Sequence, residues 1–219
     1  MPADPTLRFE RSLFRSGVES VIACDEVGRG ALAGPVAVGM VVIDQGVRRM
    51  PKGLRDSKLL PEPHREALAP LCTKWVLYSA VGLASADEID SLGLSRCLGL
   101  AGRRALESLE AMGAPVGSSI LVLDGNWDYL NPALDTRVDV VTRIKADRDC
   151  ASVAAASVIA KVHRDRLLID RDVVTPGYSW ASNKGYASRA HFAAIELLGP
   201  SDYHRLSWLK GDVPLEQVE

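Results

Sequence analysis

The sequence predicts an α/β domain in which a mixed sheet is flanked by helices. Its first two apolar runs are rich in β-branched residues and are joined by a short turn containing Gly34 and Pro35, which favours an antiparallel pair. Its later strand candidates alternate with helical patterns, as in α/β proteins. The length of 219 residues fits a single domain, with a core over about 18–172 and a helical C-terminal extension over about 173–219.

Five apolar runs predict the strands. The first run ends in two carboxylates, the second is rich in valine, and the fourth is a buried run that ends at Asp124. Turn residues or charged residues bound the runs. The predicted strands are 18–26, 36–43, 74–83, 120–123 and 138–142.

Helical patterns lie between and after these strands. Isoleucine and leucine recur among Glu and Arg from 85 to 112, and a run of small residues without Gly or Pro begins at Ala151. Gly199 and Pro200 end the last pattern. The predicted helices are 61–71, 85–112, 151–166 and 188–198, and residues 1–17 predict a short arm or helix.

Composition and charge exclude several classes of protein. Hydrophobic residues make up 47% of the chain, which is too many for extended disorder, and the formal net charge is −2. The four cysteines are dispersed without a C-x-x-C pair, so neither a zinc site nor a disulfide framework is indicated. The sequence has no signal-peptide pattern and no apolar run of the roughly 18–20 residues that span a bilayer. We therefore expect a cytoplasmic protein without a membrane partner.

Acidic residues follow three of the predicted strands. Asp25 and Glu26 end the first strand, Asp124 ends the fourth, and Asp147 lies between the fifth strand and the small-residue helix. Carboxylates gathered at adjacent strand ends repel one another unless cations neutralise them. Oxygen ligands without His or Cys favour Mg²⁺ or Mn²⁺ over zinc. The pattern therefore indicates a divalent-metal site that could assist phosphodiester cleavage.

Each of these acids also has a simpler interpretation. An aspartate after a strand is commonly a turn former or a helix cap, and Asp124 with Gly125 and Asn126 would make an ordinary turn. Consecutive residues of a strand also point to opposite faces of the sheet. Asp25 and Glu26 would therefore converge only if the strand ended or bulged there, which the glycines that follow allow.

The glycine-rich segment after the first strand has two interpretations. Its Gly28-x-Gly30-x-x-x-Gly34 spacing resembles a dinucleotide-binding loop, but that loop requires a helix immediately afterwards, and a strand pattern follows here. Alternatively, the bare backbone around Gly28 and Gly30 lets a sugar approach closely and hydrogen-bond a ribose 2′-OH, the group that distinguishes RNA from DNA. The sequence favours this second interpretation.

Together, these segments resemble the bacterial ribonuclease HII family. The motif Asp-Glu-Val-Gly-Arg-Gly-Ala-Leu-Ala-Gly-Pro-Val over 25–36 carries most of the likeness, and further matches follow in the same order at 55–59, 124–126, 145–147, 155–162 and 183–186. The resemblance implies a ribonuclease H-like fold with a five-stranded mixed sheet. It implies an endoribonuclease that cuts the RNA strand of RNA–DNA hybrids. It also implies nicking 5′ of ribonucleotides embedded in duplex DNA, leaving 3′-OH and 5′-phosphate ends, by divalent-metal-assisted attack of water.

The resemblance assigns a role to each motif. The catalytic and metal-binding acids are Asp25, Glu26, Asp124 and Asp147, with Mg²⁺ or Mn²⁺ as the cofactor. The substrate-binding residues are Gly28, Arg29 and Gly30 for the 2′-OH, Tyr186 for the deoxyribose after the ribonucleotide, and Lys58 for a phosphate. A solvated loop lysine is an equally good interpretation of Lys58. The family usually has proline at the position of Ala31 and a pair such as Gly-Thr at that of Ala187-Ser188, which leaves the acids and Tyr186 unchanged.

Three rival functions remain for comparison with the structure. A non-catalytic hybrid-binding module would normally lack a carboxylate, and none is missing here. A nicotinamide oxidoreductase is disfavoured by the strand pattern after Gly34, and a DNA-cutting resolvase or integrase relative would lack the ribose-sensing motifs. We expect a monomer that acts on RNA–DNA hybrids and ribonucleotide-containing duplex DNA, and the sequence indicates no protein partner.

Overall fold

Five strands form one mixed sheet in the computed structural model, which describes residues 4–209. The strands are β1 (Ser20–Val27), β2 (Val36–Asp44), β3 (Tyr78–Ala84), β4 (Ile120–Asp124) and β5 (Asp139–Arg143). Their order across the sheet is β3-β2-β1-β4-β5. The β1–β2 and β2–β3 pairs are antiparallel, and the β1–β4 and β4–β5 pairs are parallel. The predicted fold class is confirmed, with β1 at the centre of the sheet.

Eight α-helices surround this sheet in the part of the chain that the structure describes. They are α1 (Arg8–Arg15), α2 (Glu62–Trp75), α3 (Ala86–Leu92), α4 (Leu94–Ala111), α5 (Ala146–Asp149), α6 (Ala151–Val174), α7 (Trp180–Asn183) and α8 (Arg189–Leu198). None of the described helices is both long and apolar enough to cross a membrane.

Several predicted boundaries differ from the structure, and helix α6 in particular continues to Val174 instead of ending at residue 166. Helix α2 continues through Trp75, because Leu68 and Cys72 pack against α6, and β3 therefore begins at Tyr78 instead of at residue 74. The single helix predicted over 85–112 is two helices, because Gly93 adopts a φ of +80° that breaks the helical pattern.

The small-residue helix α6 packs closely on β1 and β2. A Cβ atom added at Gly39 of β2 would lie 2.7 Å from the Ala156 carbonyl oxygen and 2.7 Å from Ala160 Cβ. The helix therefore approaches the strand at a distance that only glycine permits. This close approach places Ser157 of α6 next to Asp25 on β1.

The opposite face of the sheet is covered mainly by α4. Ile22, Cys24 and Met40 from β1 and β2 pack there with Leu98 and Ala101 of α4. The sheet is thus buried on both sides, as expected for an α/β domain.

The C-terminal region returns to the segment that follows β1. After α8, the Gly34 amide donates to the Tyr203 carbonyl oxygen at 2.7 Å, and the Arg205 amide donates to the Leu32 carbonyl oxygen at 2.8 Å. A bridge also pairs Ala33 with His204. The predicted helical extension is present over the described residues, and its predicted end at 210–219 lies outside them.

Candidate active site

Three aspartates meet at one edge of the sheet. Leu123 of β4 pairs with Cys24 of β1, so the next position along the two parallel strands sets Asp124 beside Asp25. The Asp147 amide, at the start of α5, donates to Asp124 Oδ1 at 3.4 Å. The sequence-predicted residues Asp25, Asp124 and Asp147 are therefore neighbours, and we call them the acidic cluster.

Asp25 is the most enclosed member of the acidic cluster. It is 3% exposed, and the hydroxyl of Ser157 lies beside its carboxylate, where it lowers the pKa of Asp25. Burial, followed by the negative charges of Glu26 and Asp124, raises the pKa of Asp25 well above its usual value. Its environment therefore disfavours the ionised carboxylate.

Asp147 has a similar electrostatic environment. Burial and the charges of Asp124 and Asp56 raise the pKa of Asp147 to about 6. Asp56 is itself buried, and its side chain accepts the Lys58 amide at the start of a short 3-10 helix. The sequence analysis quoted Asp56 only as part of a motif and did not assign it to the site.

Lys58 supplies positive charge to this edge. Its Nζ lies 3.5 Å from Asp147 Oδ2. Burial alone would lower the pKa of Lys58, but nearby carboxylates, led by Asp25 and Asp56, outweigh that effect and raise it. Lys58 is therefore held as a cation beside the acidic cluster, although 66% of its side chain is exposed.

Glu26 leaves β1 on the face opposite Asp25, although its charge is close enough to raise the pKa of Asp25. β1 continues in regular register through Val27, so Asp25 pairs with Gly39 and Glu26 pairs with Val38 without a bulge. Glu26 consequently points to the other face of the sheet, where its Oε2 accepts the Tyr129 hydroxyl at 3.4 Å.

The four predicted metal ligands therefore do not share one binding point in this structure. Within residues 4–209, no group of three or more His, Cys, Asp or Glu side chains is arranged to hold a metal ion. The reason is local: Glu26 Oε1 pairs with Arg29 Nη1 at 2.8 Å, and Asp147 pairs with Lys58. Arg29 and Lys58 therefore neutralise part of the negative charge that a bound metal ion was predicted to neutralise.

The donor set nevertheless fits a hard divalent cation. The cluster offers carboxylate oxygens, and the pKa values of Asp25 and Asp147 are raised by burial and by neighbouring carboxylates, so a divalent charge would relieve an existing repulsion. Both of these aspartates are buried, and Ser157 beside Asp25 and Lys58 beside Asp147 compensate only part of their lost hydration.

The Gly28–Gly30 segment presents its backbone next to Glu26. Arg29 and Gly30 are exposed, and their amide groups have no hydrogen-bond acceptor among residues 4–209. A Cβ atom added at Gly30 would meet nothing within 4 Å, so open space adjoins this residue. No helix follows the loop, because β2 begins at Val36, and this contradicts a dinucleotide-binding loop.

Tyr186 lies beside this segment and is partly exposed. A bridge pairs it with Ala31, the position where the family usually has proline. Its ring lies 5.5 Å from Lys161 Nζ and 5.3 Å from the guanidinium carbon of Arg164. Cations at these distances favour the electron-rich face of an aromatic ring.

The carbonyl group of Tyr186 is bound by His191, which forms a buried pair with His204. The indole Nε1 of Trp180 donates to His191 Nε2 at 3.1 Å, so the proton of His191 must lie on Nδ1, which donates to the Tyr186 carbonyl oxygen at 3.0 Å. His204 Nε2 lies 3.0 Å from His191 Nε2, and His204 Nδ1 accepts the Ser201 amide at 2.9 Å. These contacts fix both rings in their neutral forms.

The sequence did not point to Arg164 and Arg205 as residues that support the site, and both are fully buried. Arg164 stands in a charged stretch of α6 that reads as an exposed helix face. Arg205 has no signal of its own in the sequence, because its burial depends on contacts with Gly28, Arg29 and Gly34.

A mixed sheet of this order, with acids at the ends of its two central strands, defines a nuclease of the ribonuclease H-like class. The family model described as ribonuclease HII matches residues 22–210. Ribonuclease HII of Streptomyces avermitilis is 46% identical over 210 residues, which cover 95% of this chain and 85% of that protein. Ribonuclease HII of Caulobacter vibrioides is 40% identical over 208 residues, covering 95% and 92%.

Solved structures agree with this result. The ribonuclease HII in a complex with PCNA from Archaeoglobus fulgidus matches with a TM-score of 0.67 at 25% identity, covering 86% of this chain and 94% of that one. Ribonuclease H2 of Pyrococcus horikoshii matches with a TM-score of 0.64 at 26% identity, covering 86% and 93%. The chain belongs to the ribonuclease HII family, as the sequence motifs predicted.

The enzyme class follows from this membership. The protein is a nuclease that hydrolyses the RNA strand of RNA–DNA hybrids, with the divalent-metal dependence of its family. The predicted ribonuclease H-like fold and endoribonuclease activity are therefore confirmed.

Proposed function

We propose that this protein nicks duplex DNA on the 5′ side of an embedded ribonucleotide, leaving 3′-OH and 5′-phosphate ends. The observation that carries the proposal is the position of the Arg29 and Gly30 amides, which have no acceptor among residues 4–209, directly after the strand that bears Asp25 and Glu26. The backbone amides that would recognise the ribose therefore lie next to the acidic cluster. Such an arrangement couples recognition of one 2′-OH to cleavage of the neighbouring phosphodiester.

The acids Asp25, Glu26, Asp124 and Asp147 would hold Mg²⁺ or Mn²⁺. When bound, the divalent cation supplies Lewis acidity that lowers the pKa of a water and offsets charge developing on the phosphate. Glu26 would exchange its pairing with Arg29 for the ion, and Asp147 would exchange its pairing with Lys58. The exposed ammonium of Lys58 is then available to a phosphate of the substrate.

The Gly28–Gly30 loop and Tyr186 would read the sugars. The amides of Arg29 and Gly30 are directional donors for a 2′-OH, and the open space at Gly30 admits the sugar edge. The partly exposed ring of Tyr186 would pack on the following deoxyribose, where a second 2′-OH would crowd it. The bridge between Tyr186 and Ala31 places the loop and the tyrosine ring side by side, so both could contact the same stretch of substrate.

We further propose that the protein acts as a cytoplasmic monomer whose partner is nucleic acid. All the proposed site residues come from one chain. The four cysteines are buried and free, which suits a reducing compartment.

A nicking assay tests the proposed function. The substrate is a DNA duplex with one ribonucleotide, and the control is the same duplex made of DNA alone. We expect one nick 5′ of the ribonucleotide in the presence of Mg²⁺ or Mn²⁺ and no cleavage of the control. Asp124→Asn should abolish the nick and keep the fold, whereas Asp139→Asn, an exposed acid on β5, should nick at the normal rate.

Equal cleavage of both duplexes would reject ribose sensing. Cleavage restricted to long RNA–DNA hybrids would reject the embedded-ribonucleotide activity while leaving the family activity intact. Normal nicking by a folded Asp124→Asn enzyme would remove that residue from the site.

A further inference from the structure

Two arginines lie buried beneath the loop that follows β1. Arg164 on α6 and Arg205 after α8 are both 0% exposed. Neither has a carboxylate within 4 Å among residues 4–209, so each guanidinium is a buried cation without a counter-ion in that range. Buried charges are costly unless other polar groups satisfy them. The side chains of both arginines are satisfied by backbone carbonyl groups.

Arg205 donates to the carbonyl oxygens of the ribose-sensing loop. Its Nη2 donates to the Gly28 oxygen at 2.6 Å, and its Nη1 donates to the Arg29 oxygen at 2.9 Å. Its Nε and Nη2 also donate to the Gly34 oxygen, at 3.2 and 3.1 Å. One planar guanidinium therefore holds the loop at both ends.

Arg164 binds a different set of carbonyl groups. It donates to the oxygens of Pro35 at 2.8 Å, Lys184 at 2.9 Å and Ala33 at 3.0 Å. Arg164 therefore anchors the far end of the segment and the turn before Tyr186. Arg205 alone of the two donates to the carbonyl oxygens of Gly28 and Arg29.

The contacts of Arg205 determine where the neighbouring amides point. A peptide unit is planar and trans, so its C=O and N–H groups point in opposite directions. Because the Gly28 oxygen faces Arg205, the Arg29 amide faces away from it. The Arg29 oxygen also faces Arg205, so the Gly30 amide faces away as well. These are the two exposed amides that lack an acceptor among the described residues.

We propose that Arg205 is a positioning residue for ribose recognition, which turns the Arg29 and Gly30 amides outward toward the 2′-OH. This inference rests on the proposed function of the loop. Arg205 would never touch the substrate, because it is fully buried. It would fix the orientation of two peptide planes before the nucleic acid binds. The loop would then lose less conformational entropy on binding.

Only arginine could fill this role. Lysine carries the same charge but is a point donor on a flexible stem, so it cannot hold three carbonyl groups in one plane. Burial and the neighbouring charge of Arg164 lower the pKa of Arg205 to about 9, which still leaves it protonated at neutral pH. Arg205→Lys therefore separates the planar geometry from the charge.

The test measures binding discrimination, which a general loss of stability would not change. The dissociation constants for a single-ribonucleotide duplex and for the all-DNA duplex are measured in EDTA, where neither is cut. The discrimination ratio is the dissociation constant for all-DNA divided by that for the ribonucleotide duplex. We expect Arg205→Lys to lower this ratio by about tenfold, the effect of about one lost hydrogen bond. The constant for all-DNA should remain within about twofold of wild type, since the loop amides find no 2′-OH there.

Arg104→Lys is the matched control. Arg104 is also a forked donor, from Nη1 and Nη2 to the Glu88 carboxylate at 2.9 and 2.7 Å and from Nη1 to the Leu83 oxygen at 2.7 Å. Its replacement should lower the melting temperature without changing the ratio. An unchanged ratio in a folded Arg205→Lys protein would overturn the inference. An equal weakening for both duplexes would also overturn it, because it would show a merely structural role.

Two further measurements apply if Arg205→Lys does not fold. Asp90 accepts the amides of Leu206 and Ser207 at 2.7 and 3.0 Å, so Asp90→Ala loosens the turn beside Arg205 and should lower the ratio by a smaller factor. An unchanged ratio in Asp90→Ala would contradict the inference.

In the wild-type protein, hydrogen exchange at the Arg29 and Gly30 amides should be fast when free. It should slow with the ribonucleotide duplex and not with all-DNA. Failure of that protection would refute ribose reading by the loop itself. Protection together with an unchanged ratio in the variants would refute only the role of Arg205.

Discussion

The ammonium nitrogen of Lys58 lies 3.5 Å from Oδ2 of Asp147, although 66% of the lysine side chain is exposed and only 6% of the aspartate side chain is. An exposed cation thus partly neutralises a buried acid. The compensation is incomplete, because burial and the charges of Asp124 and Asp56 still raise the pKa of Asp147 to about 6. The site therefore holds unfavourable charge in the absence of an added cation.

Removing the charge of Asp147 should stabilise the metal-free protein. An acid whose pKa is raised on folding destabilises the native state above the unfolded pKa, here by at most about 3 kcal/mol at neutral pH. Asp147→Asn is therefore expected to raise the Tm by about 2–4 °C for each kcal/mol recovered, and to abolish cleavage. The gain should be full at pH 7 and absent below about pH 4. Differential scanning calorimetry in EDTA would measure it, with Asp139→Asn as the neutral control, and a lower Tm for Asp147→Asn at pH 7 would contradict the prediction.

Mg²⁺ should raise the thermal stability of the wild-type protein. A ligand that binds only the native state adds about 2.7 kcal/mol at a concentration of 100 times its Kd. Melting curves with increasing Mg²⁺ would detect the shift, and Asp124→Asn should reduce it. If the wild-type Tm does not respond to Mg²⁺ or Mn²⁺, the four acids do not form the proposed site.

Two glycines of the loop that we propose to sense ribose, Gly28 and Gly30, should respond differently to alanine. At Gly30 the φ angle is not in the left-handed region and a Cβ atom meets nothing within 4 Å, so Gly30→Ala should fold normally and lose affinity for the ribonucleotide duplex. At Gly28 the φ is +86° and a Cβ atom would overlap the Arg164 side chain. Gly28→Ala should therefore lose more than about 1–2 kcal/mol of unfolding free energy. Urea denaturation and duplex binding separate the two effects, and normal nicking by Gly30→Ala would argue against close approach of the sugar there.

The buried histidine pair should make stability depend on pH. Burial, followed by the neighbouring His191, lowers the pKa of His204 from 6.5 to about 4. Between these values the unfolded state binds a proton that the folded state excludes, so the free energy of unfolding should fall by up to about 3 kcal/mol as the pH drops from 6.5 to 4. His204→Gln should reduce this slope, whereas substitution of the exposed His64 by alanine should not. Urea denaturation midpoints measured across this pH range would test the prediction. If the free energy of unfolding of His204→Gln depends on pH as steeply as that of the wild type, the histidine is not the cause.

The sequence predicted the sheet well because its signals are local. Runs of β-branched residues located the strands, and the small residues around Ala156 located the helix that packs on Gly39. The break at Gly93 was missed because a glycine within a helical pattern does not by itself reveal a φ of +80°. Asp25 and Asp124 were found because each lies at the end of a strand, and Asp147 because it lies between a strand and the small-residue helix.

The parts of the site that escaped prediction depend on long-range contacts. The sequence analysis allowed a bulge at Asp25–Glu26, but β1 pairs regularly through Val27 and separates the two side chains. Arg205 resembles an ordinary exposed arginine in sequence, and its burial follows only from the return of the C-terminal segment to Gly34. Neither feature has a signal within its own neighbourhood of the chain.

The order of these elements along the chain bears on protein synthesis. Gly28 and the arginine that holds its carbonyl group are 177 residues apart in sequence. A ribosome would therefore release the early β1 segment long before it polymerises Arg205. The nascent chain could assemble its acidic strands while its sugar-reading amides still lack their final orientation, so discrimination between RNA and DNA would be among the last properties that a newly made molecule acquires.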